Sequence, residues 1–140
     1  MSWTNIWVHV VFATKYRRAI LHKEIRGQVF RHIKWNAAQK GIYILIINGF
    51  EDHCHILLRL SREMTLAKTV MLIKGESAYW INKNLCKTKD FRWQDDYWAS
   101  SVDPKNMDGL IHYIANQEAH HQKKSLEKEI EILFPKEHSF

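Results

Sequence analysis

A chain of 140 residues with 46% hydrophobic and 12% aromatic content can bury one core of ordinary size, which excludes a disordered tail. No apolar run approaches the ~20 residues of a membrane span, and no basic-then-apolar leader opens the chain. Two cysteines, Cys54 and Cys86, are too few for a disulfide framework, so a cytoplasmic setting with no membrane partner is expected. The net charge of +6 is uneven. Residues 1–50 carry eight Lys/Arg against Glu24 alone, residues 51–100 eight against seven, and residues 101–140 five against seven. A basic half beside a mildly acidic one predicts a polyanionic partner docked on one side.

In chain order, "NIWVHVVFAT" (5–14) alternates as a strand, with Ile6, Val8, Val10 and Phe12 on one face and Asn5, Trp7, His9 and Val11 on the other. Leu21, Ile25, Val29, Ile33 and Ala37 recur every four residues and predict a helix over 21–40, stopped by Gly41. "IYILIING" (42–49) and "DHCHILLRL" (52–60) read as two strands joined around Gly49. Leu66, Val70, Ile73 and Trp80 stripe a second helix with Thr65 as its N-cap. "DYWASSV" (96–102) is a short fourth strand, and Asp103-Pro104 opens a helix carrying Leu110, Ile111 and Ile114. "SLEKEIEILF" (125–134) is a last amphipathic helix, with Leu126, Ile130 and Phe134 on its apolar face. The order β-α-β-β-α-β plus C-terminal helices predicts a single α+β domain over 1–140, an antiparallel sheet with two helices on one face.

Strand alternation puts His53 and His55 on one face, with Cys54, Ile56, Leu58 and Leu60 on the other. The apolar set must face the helices, so both imidazoles are expected on an uncovered face, close enough to converge on one ion. His9 joins them if the first and third strands are neighbours. Two polar residues on an open face remain the alternative, and a third ligand has to decide. Tyr113 and Gln117 lie one helical turn apart, so an amide oxygen and a phenol would be presented together. Asp52 either orients a histidine or ends the turn, and His120 or His121 either reaches the metal edge or stays solvated. Gly75 suggests close helix packing, Trp93 and Trp98 an interface, and Asp108-Gly109 either a hinge or a helix-start irregularity. Tyr97 is a rival nucleophile whose strand setting favours packing, and both cysteines read as structural.

These residues resemble the single-tyrosine HUH transposases of the smallest bacterial insertion sequences. "HVVFATKYRR" (9–18) is similar to that family's opening strand and basic turn, and "DHCHILL" (52–58) to its His-hydrophobic-His motif, with Cys54 in the middle position. "KGESAYWIN" (74–82), "WQDDYWASSV" (93–102) and "YIANQEAHH" (113–121) resemble its second-helix signature, last strand and nucleophile helix, in the family's order. The resemblance implies a ferredoxin-like fold and an enzyme that cleaves and rejoins single-stranded, hairpin-bearing element ends through a 5′-phosphotyrosine. It implies Tyr113 as nucleophile, and His53, His55 and Gln117 as ligands of a divalent metal; phosphate chemistry suits Mg²⁺ or Mn²⁺, and zinc stays an alternative. It further implies a homodimer whose active sites are assembled in trans. The absence of a Walker-type loop agrees with resealing that needs no nucleotide cofactor. Water, His9 or His112 could take the phenol proton.

DNA contacts are expected at Lys15, Tyr16, Arg17 and Arg18, with Arg26, Arg31 and Lys34 as helix-borne additions. His9, Asp52 and His121 are auxiliary candidates. A binding-only protein of the same fold, or a repurposed regulator, is the competing class. It predicts DNA binding without a Tyr113-linked adduct.

Overall fold

A computed structural model describes residues 1–121 and 125–134. The elements are β1 (Trp7–Ala13), α1 (Lys23–Gln39), β2 (Tyr43–Gly49), β3 (His53–Arg59), α2 (Leu66–Asn84), β4 (Trp98–Ser101), α3 (Met107–Ala115), α4 (Gln117–His121) and α5 (Leu126–Leu133). The four strands form one antiparallel sheet in the order β2-β3-β1-β4. The α+β, ferredoxin-like arrangement expected from the sequence is therefore present. Among the described residues no helix is long and apolar enough to cross a membrane.

Alternation along β1 and β3 divides the molecule into two layers. Val8, Val10 and Phe12 of β1 and Cys54, Ile56 and Leu58 of β3 face Val29, Phe30 and Ile33 of α1 and Val70, Ile73 and Ile81 of α2. Burying each large aliphatic side chain here contributes about 1.5–3 kcal/mol. Trp93 closes this core, stacked edge-on to Phe12 at 4.7 Å, and its indole N–H donates to Ser77 Oγ at 2.9 Å. It is thus a core residue, not the interface residue its position suggested; Trp98 is half-buried beside α5.

The element ends follow local chemistry. Gly41, at φ +76°, lets α1 close with Gly41 N–H on Ala38 O and Ile42 N–H on Ala37 O, the paired bonds of a Schellman cap. Thr65 caps α2 by accepting from Lys68 N–H at 3.1 Å. At Gly49 a side-chain carbon would stand 2.1 Å from His53 O, so the β2–β3 connection admits only glycine without movement. Gly75, by contrast, has nothing within 4 Å of a built Cβ, so the close packing expected there is absent. Asp108 and Gly109 sit inside regular α3.

The second face differs more from expectation. The side of the sheet that carries His9, His53 and His55 is covered by α3, α4 and α5, and all three imidazoles are buried. Leu126, Ile130 and Phe134 of α5 pack on Val11 and Ala13 of β1, as the spacing of that helix's apolar residues implied. Asn48 of β2 donates from its side-chain amide to Ile114 O at 3.0 Å and Ala115 O at 3.2 Å, tying the end of α3 to the sheet. The segment 113–121, which resembles a single nucleophile helix, breaks at Asn116 (φ −105°, ψ 27°), after which α4 begins at Gln117.

Candidate active site

Four side chains from three elements converge on the covered face. His53 and His55 come from β3, His121 from α4 and Glu129 from α5, and one ligand atom from each lies within 4.8 Å of all the others. The pairing of β1 with β3 sets His9 beside this group, with His9 Nε2 2.8 Å from His55 Nδ1 and the rings stacked at 5.1 Å. The central-neighbour arrangement expected for these strands holds.

The hydrogen-bonding pattern favours a cation. Asp52 Oδ1 accepts from His53 Nδ1 at 2.8 Å, which leaves His53 Nε2 as a bare lone pair. That nitrogen faces two further acceptors, Gln117 Oε1 at 3.4 Å and Glu129 Oε2 at 3.6 Å. His55 Nε2 stands 2.7 Å from Glu129 Oε1, and His121 Nε2 stands 2.5 Å from Glu129 Oε2. Neither approach has hydrogen-bond directionality, and His55 Nε2, His121 Nε2 and Glu129 Oε2 are buried without a hydrogen-bond partner. Buried acceptors aimed at one another are costly unless something positive lies between them. Three imidazole nitrogens and a carboxylate oxygen are the donor set of a transition-metal site, so the residues fit a divalent ion.

Burial sets the protonation states. It depresses the pKa of His9 to about 3 and, with the neighbouring His53 and His121 adding to it, that of His55 to about 4, against the raising influence of Glu129. Both are neutral at pH 7, as metal ligation and its supporting shell require. Burial alone would raise Glu129, but its carboxyl is lowered by the groups its oxygens face, the His121 and His55 ring nitrogens and the donating Tyr113 hydroxyl, the same direction in which a cation between them would act. Tyr113 is pushed the other way: burial and the Glu129 charge raise its phenol above the ordinary value.

Tyr113 projects from α3 into the same cluster. Its ring lies edge-on to His55 at 5.7 Å, its hydroxyl donates to Glu129 Oε1, and His120 Nε2 is 3.1 Å from the Tyr113 hydroxyl oxygen. Gln117 is fully buried, and its amide N–H₂ reaches back to Tyr113 O at 3.4 Å, so the one-turn pairing survives the helix break. Within one chain, then, the phenol already stands beside the histidine pair. Tyr97, the rival nucleophile, packs instead against the α1–α2 core and lines a cavity of about 470 Å³ with Trp93 and Gly75, on the other layer.

The basic turn after β1 is strained. Tyr16 and Arg17 take left-handed backbone conformations at φ 58° and 52°, and Tyr16 is exposed, with Lys15 Nζ and Arg18 stacked near its ring. Each cation meets a carboxylate: Lys15 pairs with Asp95 at 3.5 Å, Arg18 with Asp90 at 3.8 Å, and Arg17 with Glu127 of α5. Arg26 is different from the surface contact expected of it, being buried, bonded to Leu21 O and paired with Glu118. Arg31 and Lys34 are exposed on α1, and Lys34 Nζ donates to Leu45 O of β2 at 3.2 Å. Cys54 is buried with its thiol pushed up, whereas Cys86 has Thr88 and Asp90 for company and its thiol is lowered, chiefly by the Thr88 hydroxyl.

Glu129 escaped the sequence reading, as did Asn48. The available signal for Glu129 was its place at i+3 from Leu126 and next to Ile130, a carboxylate inside the stripe an amphipathic helix keeps apolar.

A small antiparallel sheet whose covered face unites histidines, a carboxylate and a tyrosine is an arrangement suited to phosphodiester chemistry. The family model described as transposase IS200 like matches residues 2–117, and the chain belongs to that family of transposases. The transposase for insertion sequence element IS200 of Salmonella typhimurium is 28% identical over 119 residues, covering 81% of this chain and 77% of that one. The ISDra2 transposase TnpA of Deinococcus radiodurans is 26% identical over 93 residues, 66% of each chain. Among solved structures, a candidate transposase from Deinococcus radiodurans superposes with TM-score 0.66 at 22% identity, over 83% of this chain and 93% of that one. A REP-associated tyrosine transposase bound to a REP hairpin superposes with TM-score 0.64 at 16% identity, over 86% of this chain and 72% of that one.

Proposed function

We propose that this transposase cuts and rejoins single-stranded DNA at hairpin-bearing element ends, with Tyr113 as the nucleophile. The observation that carries the proposal is the meeting of the Tyr113 hydroxyl with a buried His53–His55–His121–Glu129 cluster built like a cation site. The phenol oxygen attacks the scissile phosphorus as its proton passes to solvent and the bond to the departing 3′ oxygen breaks; that oxygen takes up a proton, giving a 5′-phosphotyrosine and a free 3′ hydroxyl. Rejoining is the reverse attack by a 3′ hydroxyl on that ester, so phosphodiester energy is conserved and no nucleotide cofactor is required. A divalent cation, when bound, polarises the phosphate as a Lewis acid. His53, His55, His121 and, before DNA enters, Glu129 would hold it, with Gln117 Oε1 alongside. Three imidazoles favour Mn²⁺ over Mg²⁺ in affinity.

His9 and Asp52 support those ligands. His53 presents Nε2 because Asp52 takes its Nδ1–H, and His55 presents Nε2 when its Nδ1–H turns to His9. The Tyr16 ring and the Lys15, Arg17 and Arg18 cations offer stacking and phosphate contacts to the DNA beside the site. A homodimer pairing the histidines of one chain with the tyrosine helix of another belongs to the same proposal. Mixing H53A and Y113F chains tests it: restored activity means exchange, and no activity means each chain uses its own tyrosine.

Wild-type protein with Mn²⁺ and a labelled single-stranded stem-loop from an element end is expected to give a covalent band under denaturing electrophoresis. Chelator, His53→Ala and Tyr113→Phe should each abolish it while Tyr113→Phe retains stem-loop binding. Wild-type binding with no covalent band under any divalent metal would establish the binding-only alternative.

A further inference from the structure

Helix α5 brings carboxylates to both of the features on this face that would receive phosphate. Glu129 enters the histidine cluster and accepts from the Tyr113 hydroxyl, and Glu127 pairs with Arg17 in the strained basic turn. The helix rests between them on Leu126, Ile130 and Phe134, of which only Leu126 is fully buried. Eight residues of helix are not stable alone in water, so α5 exists by virtue of this docking.

Resting on the strand-transfer reaction above, we propose that the surface beneath α5 is the seat of the single-stranded DNA backbone, and that α5 is its displaceable internal occupant. Glu129 stands where the scissile phosphodiester goes, and Glu127 where a flanking phosphate meets Arg17. Carboxylate and phosphodiester are both monoanionic oxygen donors, so exchanging one for the other leaves the charge of the site unchanged. The exchange is also required for chemistry. In-line attack needs the phenol oxygen about 3–3.5 Å from phosphorus, and Glu129 fills that place. The footprint of α5 thereby fixes the strand's course, from the histidine cluster toward residues 15–18. It also makes the protein self-limiting, since DNA must outcompete a segment of the same chain.

The test uses full-length protein with Glu127→Gln, Glu129→Gln, the double variant, and Glu131→Gln as a same-helix charge control. Oligothymidylate binding is measured by anisotropy at low salt, and Mn²⁺ binding separately by calorimetry. The double variant is expected to bind DNA about tenfold tighter, with Glu131→Gln essentially unchanged. Glu129→Gln should weaken Mn²⁺ binding about tenfold, because it removes a charged ligand. Opposite signs on DNA and metal are the signature, since a carboxylate that merely supported the fold would weaken both when removed. DNA binding no tighter than wild type in the double variant overturns the proposal. If Glu129→Gln fails to fold, Glu127→Gln alone decides, because its exposed pair can be removed without emptying the core: tighter binding supports the proposal and unchanged binding overturns it. A wild-type Tyr113 adduct combined with unaltered binding by the variants would sink this proposal alone. Tighter binding without any adduct would sink the strand-transfer reaction and leave the seat standing.

Discussion

His53 is constrained through both ring nitrogens, and this decides how it can act. Asp52 holds one nitrogen as a donor, so the other must offer a lone pair to whatever enters the cluster. Replacing Asp52 with Asn frees the tautomer and the ring angle without touching a ligand atom. Mn²⁺ affinity in calorimetry should fall about 10–100-fold, with little change in thermal midpoint; unchanged affinity would show that Asp52 only ends the turn. The histidine pair was legible in the sequence because strand alternation places HxH on one face whatever the rest of the fold does. His121 was named only as an auxiliary, and Glu129 not at all, since each depends on how far α4 and α5 fold back over the sheet. Such contacts have no local spacing to announce them. Arg26 shows the same limit from the other side: its charge suggested DNA, and only the packing of α4 reveals Glu118 as its partner.

At the level of elements, the glycines at 49 and 75 behave oppositely. Gly49→Ala drives a methyl group into the backbone of His53, and should cost about 1–3 kcal/mol or more while displacing the first residue of β3. Gly75→Ala meets open space within α2, and should stabilise by about 0.5–1 kcal/mol through lost unfolded-state freedom. Denaturant midpoints of the two variants check both signs, and a stable Gly49→Ala protein would mean the β2–β3 turn gives way more easily than its geometry implies. The strands and helices themselves were readable because periods of two and near four are imposed by backbone geometry, as at Val8–Phe12 and Leu126–Ile130. Where the sequence suggested an open sheet face, the error lay in assuming that alternating polar residues must meet water. His9, His53 and His55 are polar and buried because helices carrying their own polar partners cover them.

For the whole molecule, those buried neutral histidines make stability depend on acid. His9 and His55, depressed mainly by burial to about 3 and about 4, take up protons near pH 6.5 once unfolded. Below pH 6.5 the unfolded chain therefore binds more protons than the native one. Stability of the metal-free protein should be full above that pH and fall progressively toward pH 4 and then 3. The ionised Glu129 adds a loss of the same sign at the acid end. Denaturant midpoints at pH 7.5 and 4.5 measure this directly, and equal values would mean the imidazoles are protonated or solvated in the native state. DNA binding should be weakened by salt in proportion to the phosphates met by Lys15, Arg17 and Arg18, so alanine at these positions should lower the slope of log affinity against log salt by about one each.

The most direct measurement of all is peptide mapping of the protein–DNA adduct, formed with Mn²⁺ on a stem-loop labelled at one end and digested before mass spectrometry. The nucleotide should be found on the peptide containing Tyr113, joined through a 5′ phosphate with the 3′ hydroxyl released. An adduct on Tyr97 or Tyr16, or a 3′-phosphate linkage, would contradict the account.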